Sequence, residues 1–400
     1  MYRTWTLLFW IGLVSCSAAE DRSPTVTVVD SAGISIVTNL ELRIDEWAVD
    51  AEPLLELGTL DAGGPQQFFL ISAARRLPSG EVAVLDGSRE VRIFTSGGAF
   101  VRAFGGEGDG PGEYRGPGRM FLMPGDSLAI WDTRLRRLTI LDSQGGVGRV
   151  VSPEGIGRRP QILTVLPDGS TLFEQEILLG HTPPEYTQQY SDYLLYGPTG
   201  ELLDSLPRQP RVEVGLWGEG PLAGPRLFDE GTQFVADSTG YWIGTTKREE
   251  LLRYTLQGDL ARIVRWPAED RAVGDDAAAL SLREALEALP PGADREAFSE
   301  VHLSRGIPER YPSHGPILVD QGGSLWVQEF ERPGHEGPSL WRVFETDGTL
   351  TARVRVPRGP RVLDIGQDYL LAVGRDEYDV EYVRLFGLTR SPTEGLTTPR

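Results

Sequence analysis

Four histidines, one cysteine and a scatter of aspartates beside turns are the residues of this chain with chemistry to offer. His181, His302, His314 and His335 could each ligate a metal or carry a proton near neutral pH. Their spacings fit no zinc site, and neither His-x-x-x-His nor His-Glu-x-x-His occurs. Asp86, Asp132 and Asp237 could work as paired carboxylates in acid–base chemistry, but they lie beside turns, where aspartate is common for backbone reasons. No Gly-x-Ser-x-Gly elbow is present, and Thr245-Thr246-Lys247-Arg248 lacks the glycine loop of a phosphate cradle. The acidic loop 105–113 lacks calcium-ligand spacing and reads as a turn between repeats. Lys247 and Asn39 are the only lysine and the only asparagine, so lysine catalysis and asparagine ligand sets have almost nothing to draw on. The residues therefore predict no catalytic set, no metal and no cofactor. Tyr186, Tyr190, Tyr193, Tyr196 and Trp217 could form an aromatic binding surface, although Tyr193 and Tyr196 are expected to pack between sheets.

Cys16 has a more specific reading. Arg3 precedes the apolar run 5–14, which is too short to span a bilayer but suits the core of an export signal. The run ends in Leu13-Val14-Ser15-Cys16, which resembles the bacterial lipobox: an aliphatic residue, a small residue, then a cysteine that is lipidated and becomes the new N-terminus. A lone cysteine in an exported chain has no disulfide partner, and lipidation explains both its place and its solitude. Residues 1–15 are thus expected to be a lipoprotein signal, and 16–25 a polar tether. The anchor faces the periplasm or the cell surface, with Ser17 favouring the outer membrane. The formal net charge of −19 argues against nucleic-acid binding and against adhesion to anionic lipid.

The elements that must position these residues announce themselves by a recurring turn. Its copies are Pro78-Ser79-Gly80, Pro124-Gly125-Asp126, Pro167-Asp168-Gly169, Ser238-Thr239-Gly240, Gln321-Gly322-Gly323 and Ile365-Gly366-Gln367. From glycine to glycine the steps are 45 (80 to 125), 44 (125 to 169), 71 (169 to 240), 82 (240 to 322) and 44 (322 to 366). A period near 44 with several short strands per unit is the spacing of a propeller blade. Interleaved turns such as Ser96-Gly97-Gly98, Gln144-Gly145-Gly146 and Asp347-Gly348 mark a second hairpin in each unit. The expected fold is all-β: a six-bladed β-propeller of four-stranded antiparallel blades over 26–390, with a disordered tail at 391–400. The sixth unit lacks a fourth strand, and the run 54–57 is expected to supply it by pairing with 380–388. A helical insertion, 268–312, separates blades 4 and 5, with Asp275 as its N-cap and Pro290-Pro291-Gly292 as its stop. The hairpin 26–38 has an open role.

Strand parity then sorts the loops. Turns of one kind are all tight, whereas the long segments 177–191, 207–232, 267–315 and 332–339 fall at the other end. One face is plain and the other decorated, and all four histidines fall on the decorated loops. Loops on a rigid scaffold carry binding function, so the candidate binding face is His181, Tyr186, Trp217, His302, His314 and His335. The competing reading is that these loops only cap the channel mouth.

Several segments together resemble bacterial six-bladed β-propeller lipoproteins related to NHL-repeat proteins: Asp30-Ser31-Ala32-Gly33-Ile34, the run 108–114, Trp131-Asp132-Thr133 through Leu141-Asp142, and the run 376–384. The resemblance spans about 26–390 and implies six blades and export, but no defined activity. Related propeller lactonases hold calcium in the channel with Glu, Asn and Asp. Asn39 lies outside the repeats, so that resemblance departs from the lactonase pattern. The expected function is a non-enzymatic binding module for a protein, peptide or glycan. The alternatives are a hydrolase or lyase using channel carboxylates, and a scaffold subunit of an envelope complex.

Overall fold

The computed structural model describes residues 25–40, 44–59, 64–157, 160–177, 187–216, 223–225, 228, 231–287, 289, 292–304, 308–376 and 378–390. Strands dominate. β1 (Val26–Ser31) and β2 (Ile34–Asn39) form a hairpin, followed by short β3 (Asp45–Val49) and β4 (Leu55–Leu57). Four-stranded antiparallel sheets then succeed one another. The first is β5 (Ala73–Arg76), β6 (Val82–Leu85), β7 (Glu90–Phe94) and β8 (Phe100–Gly105). The second is β9 (Pro117–Met123), β10 (Ser127–Asp132), β11 (Arg137–Leu141) and β12 (Val147–Val151). The third is β13 (Gln161–Val165), β14 (Thr171–Glu176), β15 (Thr187–Tyr196) and β16 (Leu202–Leu216), with β17 (Ala223–Pro225) added at its edge. Next come β18 (Thr232–Ala236), β19 (Gly240–Thr245), β20 (Glu250–Thr255) and β21 (Leu260–Arg265), then helices α1 (Asp275–Glu287) and α2 (Arg295–Ser304). β22 (Ile317–Val319), β23 (Leu325–Gln328), β24 (Ser339–Phe344) and β25 (Leu350–Val356) follow, and β26 (Arg361–Ile365), β27 (Tyr369–Arg375) and β28 (Glu381–Thr389) end the described chain.

The second strand of each unit explains why the sheets stack. Val82, Ala83, Val84 and Leu85 are all buried, as are Leu325, Trp326 and Val327. Strands covered on both faces read as continuous apolar runs. Aromatic side chains bridge successive sheets: Trp131 meets Phe173 at 4.7 Å, Tyr193 stacks on Phe234 at 4.2 Å and Trp266 meets Phe344 at 5.5 Å. Tyr193 and Tyr196 are 2% and 1% exposed, as their strand positions predict. The first strands lie innermost. β5 touches β9, β9 touches β13, β13 touches β18, β18 touches β22, and β26 touches β5. The Gln321 amide donates to the Ile365 carbonyl at 3.0 Å between β22 and β26. The arrangement is that of a β-propeller around a central channel.

β4 pairs with β28 in the register Leu57↔Val383, Glu56↔Arg384 and Leu55↔Leu385, so an N-terminal strand completes the last sheet as expected. The β1–β2 hairpin joins the β18–β21 sheet through parallel pairing of β2 with β21. Its junction is Asn39, 3% exposed, whose amide donates to the Arg265 and Gly348 carbonyls and accepts from the Leu350 amide. The chain's single asparagine thus stitches two sheets together.

Two expectations need correction. Residues 187–191 and 207–216 were expected to be loop; they are the extended ends of β15 and β16, paired as Thr187↔Val214, Gln188↔Glu213 and Tyr190↔Pro210. Val212, Val214 and Leu216 do alternate, but Pro207 and Pro210 interrupt the run, and Thr187-Gln188-Gln189 carries no apolar signal. β3 was not expected at all. It runs parallel to β25 and touches the end of β28, so it bridges two sheets.

Candidate functional site

The decorated end gathers its most elaborate structure between β21 and β24. The segment after β21 leaves the body, carries α1 and α2, and returns alongside itself. The Val273 amide donates to the Glu309 carbonyl at 3.0 Å and the Tyr311 amide to the Arg271 carbonyl at 2.8 Å. Acidic residues open α1, with Asp275 and Asp276 in its first turn, where they complement the helix dipole. The base of this insertion is tied to the β19–β20 connection. The Ser313 amide donates to the Thr246 carbonyl at 2.7 Å and its hydroxyl to the Arg248 carbonyl at 2.8 Å. On the other side, the Gly334 amide donates to Glu284 of α1 at 3.1 Å, and the Arg332 guanidinium donates to the Asp270 carbonyl.

These two arms leave a cleft of about 280 Å³ between them, lined by Trp266, Tyr311, Phe330, Leu340 and a set of charged side chains. Tyr311 stacks on Phe330 at 5.5 Å, Phe228 packs edge-on to Tyr311 at 4.8 Å, and the Arg332 guanidinium lies 5.3 Å from the Tyr311 ring. Arg342 rises into the cleft from β24, its side chain only 3% exposed, and pairs with Glu269 and, at 3.3 Å, with Glu329. Glu329 also binds Arg353 at 2.5 Å, and Glu249 binds Arg271 at 2.8 Å. Glu331 accepts from Gln328 at 2.8 Å and from the Ser339 hydroxyl. Each of these carboxylates is engaged, as a partly buried charge must be.

His335 lies at the rim, half-buried, with Nε2 3.1 Å from the Pro338 carbonyl. His314, expected on the binding face, is instead 1% exposed and offers no surface to a ligand. It packs against Trp266 at 6.1 Å, with Nδ1 2.8 Å from the Gly315 carbonyl and Nε2 without a partner. Burial pushes its pKa down to about 4; the nearby Arg342 and Arg271 act in the same direction, against the Gly315 contact. His302 falls within α2. His181, Tyr186, Trp217 and the expected lipid site Cys16 lie outside the described residues. Tyr190, on the extended β15, is 43% exposed.

The aspartates named for acid–base work do not converge. Asp132, fully buried, accepts from the amides of Arg115, Gly116, Arg134 and Leu135 at 2.7–3.0 Å. Asp86 does the same for Phe69 and Ser88. Both close loops at the ends of their sheets. Asp237 binds Arg253 at 2.7 Å and the Thr239 amide at 2.7 Å. Burial would raise its pKa, but the Arg253 and Thr239 bonds hold it below the ordinary carboxylate value. In the loop 105–113, Asp109 and Glu107 pair with Arg115. Among the described residues, no group of three or more His, Cys, Asp or Glu side chains could hold a metal ion.

Sequence reasoning missed Arg342 and its carboxylates. A signal was present: Leu340-Trp341-Arg342-Val343-Phe344 sets one charge in an apolar strand, which requires a buried partner. The partners, Glu269 and Glu329, come from two other segments and carry no local mark.

No protein-family model matches the chain, and no curated protein matches it. Solved structures do. A member of the DUF4221 family from Bacteroides vulgatus shares 12% identity over 87% of this chain and 100% of its own, with a TM-score of 0.51. A protein from Bacteroides fragilis described as exported shares 13% identity over 88% of this chain and 99% of its own, with a TM-score of 0.48. Virginiamycin B lyase from Staphylococcus aureus shares 10% identity over 86% of this chain and 95% of its own, with a TM-score of 0.38. At such identity the likeness to the DUF4221 member speaks to fold alone.

Proposed function

We propose that this chain is a lipid-anchored, exported, six-bladed β-propeller that binds a protein, peptide or glycan without transforming it. The blades are the four complete units from β5 to β21, the β22–β25 unit, and β26–β28 completed by β4. Export and anchoring rest on the apolar run 5–14 and on Cys16, with the outer membrane as the destination Ser17 favours. The observation that carries the binding reading is the cleft between the insertion and the 329–338 loop. It sets an aromatic stack beside a cation on the loop-bearing end of a rigid scaffold. Binding hot spots favour aromatic residues and arginine; here Tyr311 is buried beneath, while Phe330 is partly exposed and Arg332 exposed. Its carboxylates are already held by arginines, which favours recognition over acid–base chemistry.

The full-length protein, purified in neutral detergent, is to be screened on peptide and glycan arrays beside Arg332→Ala and His335→Ala variants. A specific ligand is expected, with the Arg332 change weakening it at least about fivefold. Wild-type turnover of a lactone, ester or glycoside panel would overturn the reading. So would ligand binding indifferent to both variants. Acylation is checked separately by radiolabelled palmitate, which should label the wild type and not Cys16→Ala.

A further inference from the structure

The central channel presents a second feature, remote in kind from the cleft. Pairing with the second strands fixes the height of each inner-strand residue. Arg119 pairs with Trp131, Gln161 with Glu174, Gln233 with Gly244 and Arg361 with Val373. Each partner stands fourth counting from Leu128, Thr171, Tyr241 or Leu370, the first residue of its strand on the side that faces the preceding sheet. Two arginines and two glutamines therefore stand at one level, near the starts of β9, β13, β18 and β26. That is the loop-bearing end of the channel. Arg75 of β5 lies two steps deeper, pairing with Ala83, the second residue of its strand. Its guanidinium crosses to the Leu363 carbonyl on β26 at 2.5 Å, and Arg361 crosses back to the Ile71 carbonyl at 3.2 Å.

These bonds go to neutral carbonyls and cancel no charge. Among the described residues, none of the three guanidiniums has a carboxylate in salt-bridge contact. Arg119 keeps part of its side chain exposed yet is desolvated by the protein around it. Its pKa is lowered by that desolvation and by the like charges of Arg75 and Arg361, with Glu174 the carboxylate opposing the shift. Glu174 is itself occupied by the Ser191 hydroxyl at 2.7 Å and by Arg211 at 3.6 Å. A chain with 58 acidic residues against 39 basic ones has ample means to neutralise three arginines, and here it does not. Like charges left facing one another cost free energy unless something else sits between them. Guanidinium forks fit planar or tetrahedral oxyanions through paired N–H donors.

We propose that the loop-side mouth of the channel is an oxyanion site, where Arg119, Arg361 and Arg75 receive a carboxylate- or phosphate-bearing small molecule, with Gln161 and Gln233 at the same level to read its polar substituents. The site stands independently of the cleft.

The test is calorimetric titration of the full-length protein in neutral detergent with inorganic phosphate and, separately, with citrate. Chloride at matched ionic strength is the control, because screening acts over about 10 Å at 0.1 M salt. One saturable site is expected, and the two titrants separate phosphate from carboxylate preference. Arg119→Gln should weaken it at least about tenfold, and Arg119→Lys, which keeps the charge but loses the fork, should fall between. Without anion, Arg119→Gln should melt no lower than the wild type, because a like-charge contact is relieved. Arg332→Ala should leave the oxyanion affinity unchanged, which separates this site from the cleft. Binding no stronger than chloride's, or equal affinity in Arg119→Gln, overturns the proposal. So does a variant that melts lower while keeping wild-type affinity, since Arg119 would then be structural.

Discussion

His314 illustrates how a residue changes meaning between sequence and structure. Pro312-Ser313-His314-Gly315 reads as exposed loop, because the residues that bury it, Trp266 and Gly244, come from far earlier in the chain. In place it is a neutral core imidazole with a pKa near 4, against 6.5 for the free group. The unfolded chain therefore takes up a proton between pH 6.5 and 4 that the folded chain refuses. Stability from this group is complete above pH 6.5 and is lost as pH falls toward 4. The gap of 2.5 (6.5 − 4) corresponds to about 3 kcal/mol. Urea unfolding at pH 7, 5 and 4 should show the wild type losing about that much relative to His314→Gln, and no further relative loss below pH 4. Parallel stability profiles for the two proteins would mean that His314 is protonated in the fold.

At the scale of elements, what was legible depended on whether the signal was local. The turns at Gly80, Gly169, Gly98 and Gly145 were legible because each needs a positive φ that glycine supplies. The α1 and α2 insertion was legible from its spacing and its Pro-Pro-Gly stop. β3 was not, because Asp45-Glu46-Trp47-Ala48-Val49 buries only Trp47 fully, and its partners on β25 lie some 300 residues away. The channel arginines were illegible for the same reason: Arg75, Arg119 and Arg361 meet only once the ring is drawn. Asn39 belongs to this scale too, since one side chain fixes the β1–β2 hairpin to two other segments. Asn39→Ala strands the Leu350 amide and two carbonyls, and should cost about 2 kcal/mol. Hydrogen exchange is expected to quicken in β2 and at Leu350, while Asp30→Ala at the hairpin turn leaves both unchanged. Equal protection in the two variants would show that β2 is held by its ladder with β21 alone.

The whole molecule depends on one short strand. Leu57 of β4 is fully buried, and it packs with Val383 and Val373 of the last sheet and with Val82, Val84 and Phe94 of the first. A ring of sheets has no exposed edge at this seam only while β4 stays in place. The seam also matters for the channel site, because Arg75 and Arg361 come from the two sheets that meet there. Leu54, three residues earlier in the chain, is 65% exposed and serves as the control. A carboxylate at position 57 would be buried without a partner, so Leu57→Asp should cost several kcal/mol, of the order of 3 or more, while Leu54→Asp stays near neutral. The loss should not be local. Closure joins β26–β28 to β5–β7, so Leu57→Asp should strip exchange protection from both ends of the described chain together and leave β13–β16 the better protected. If Leu57→Asp exposes β26–β28 alone, the first sheet does not rely on the seam. The one-sided loops would then stand on an open arc of sheets rather than a closed disc.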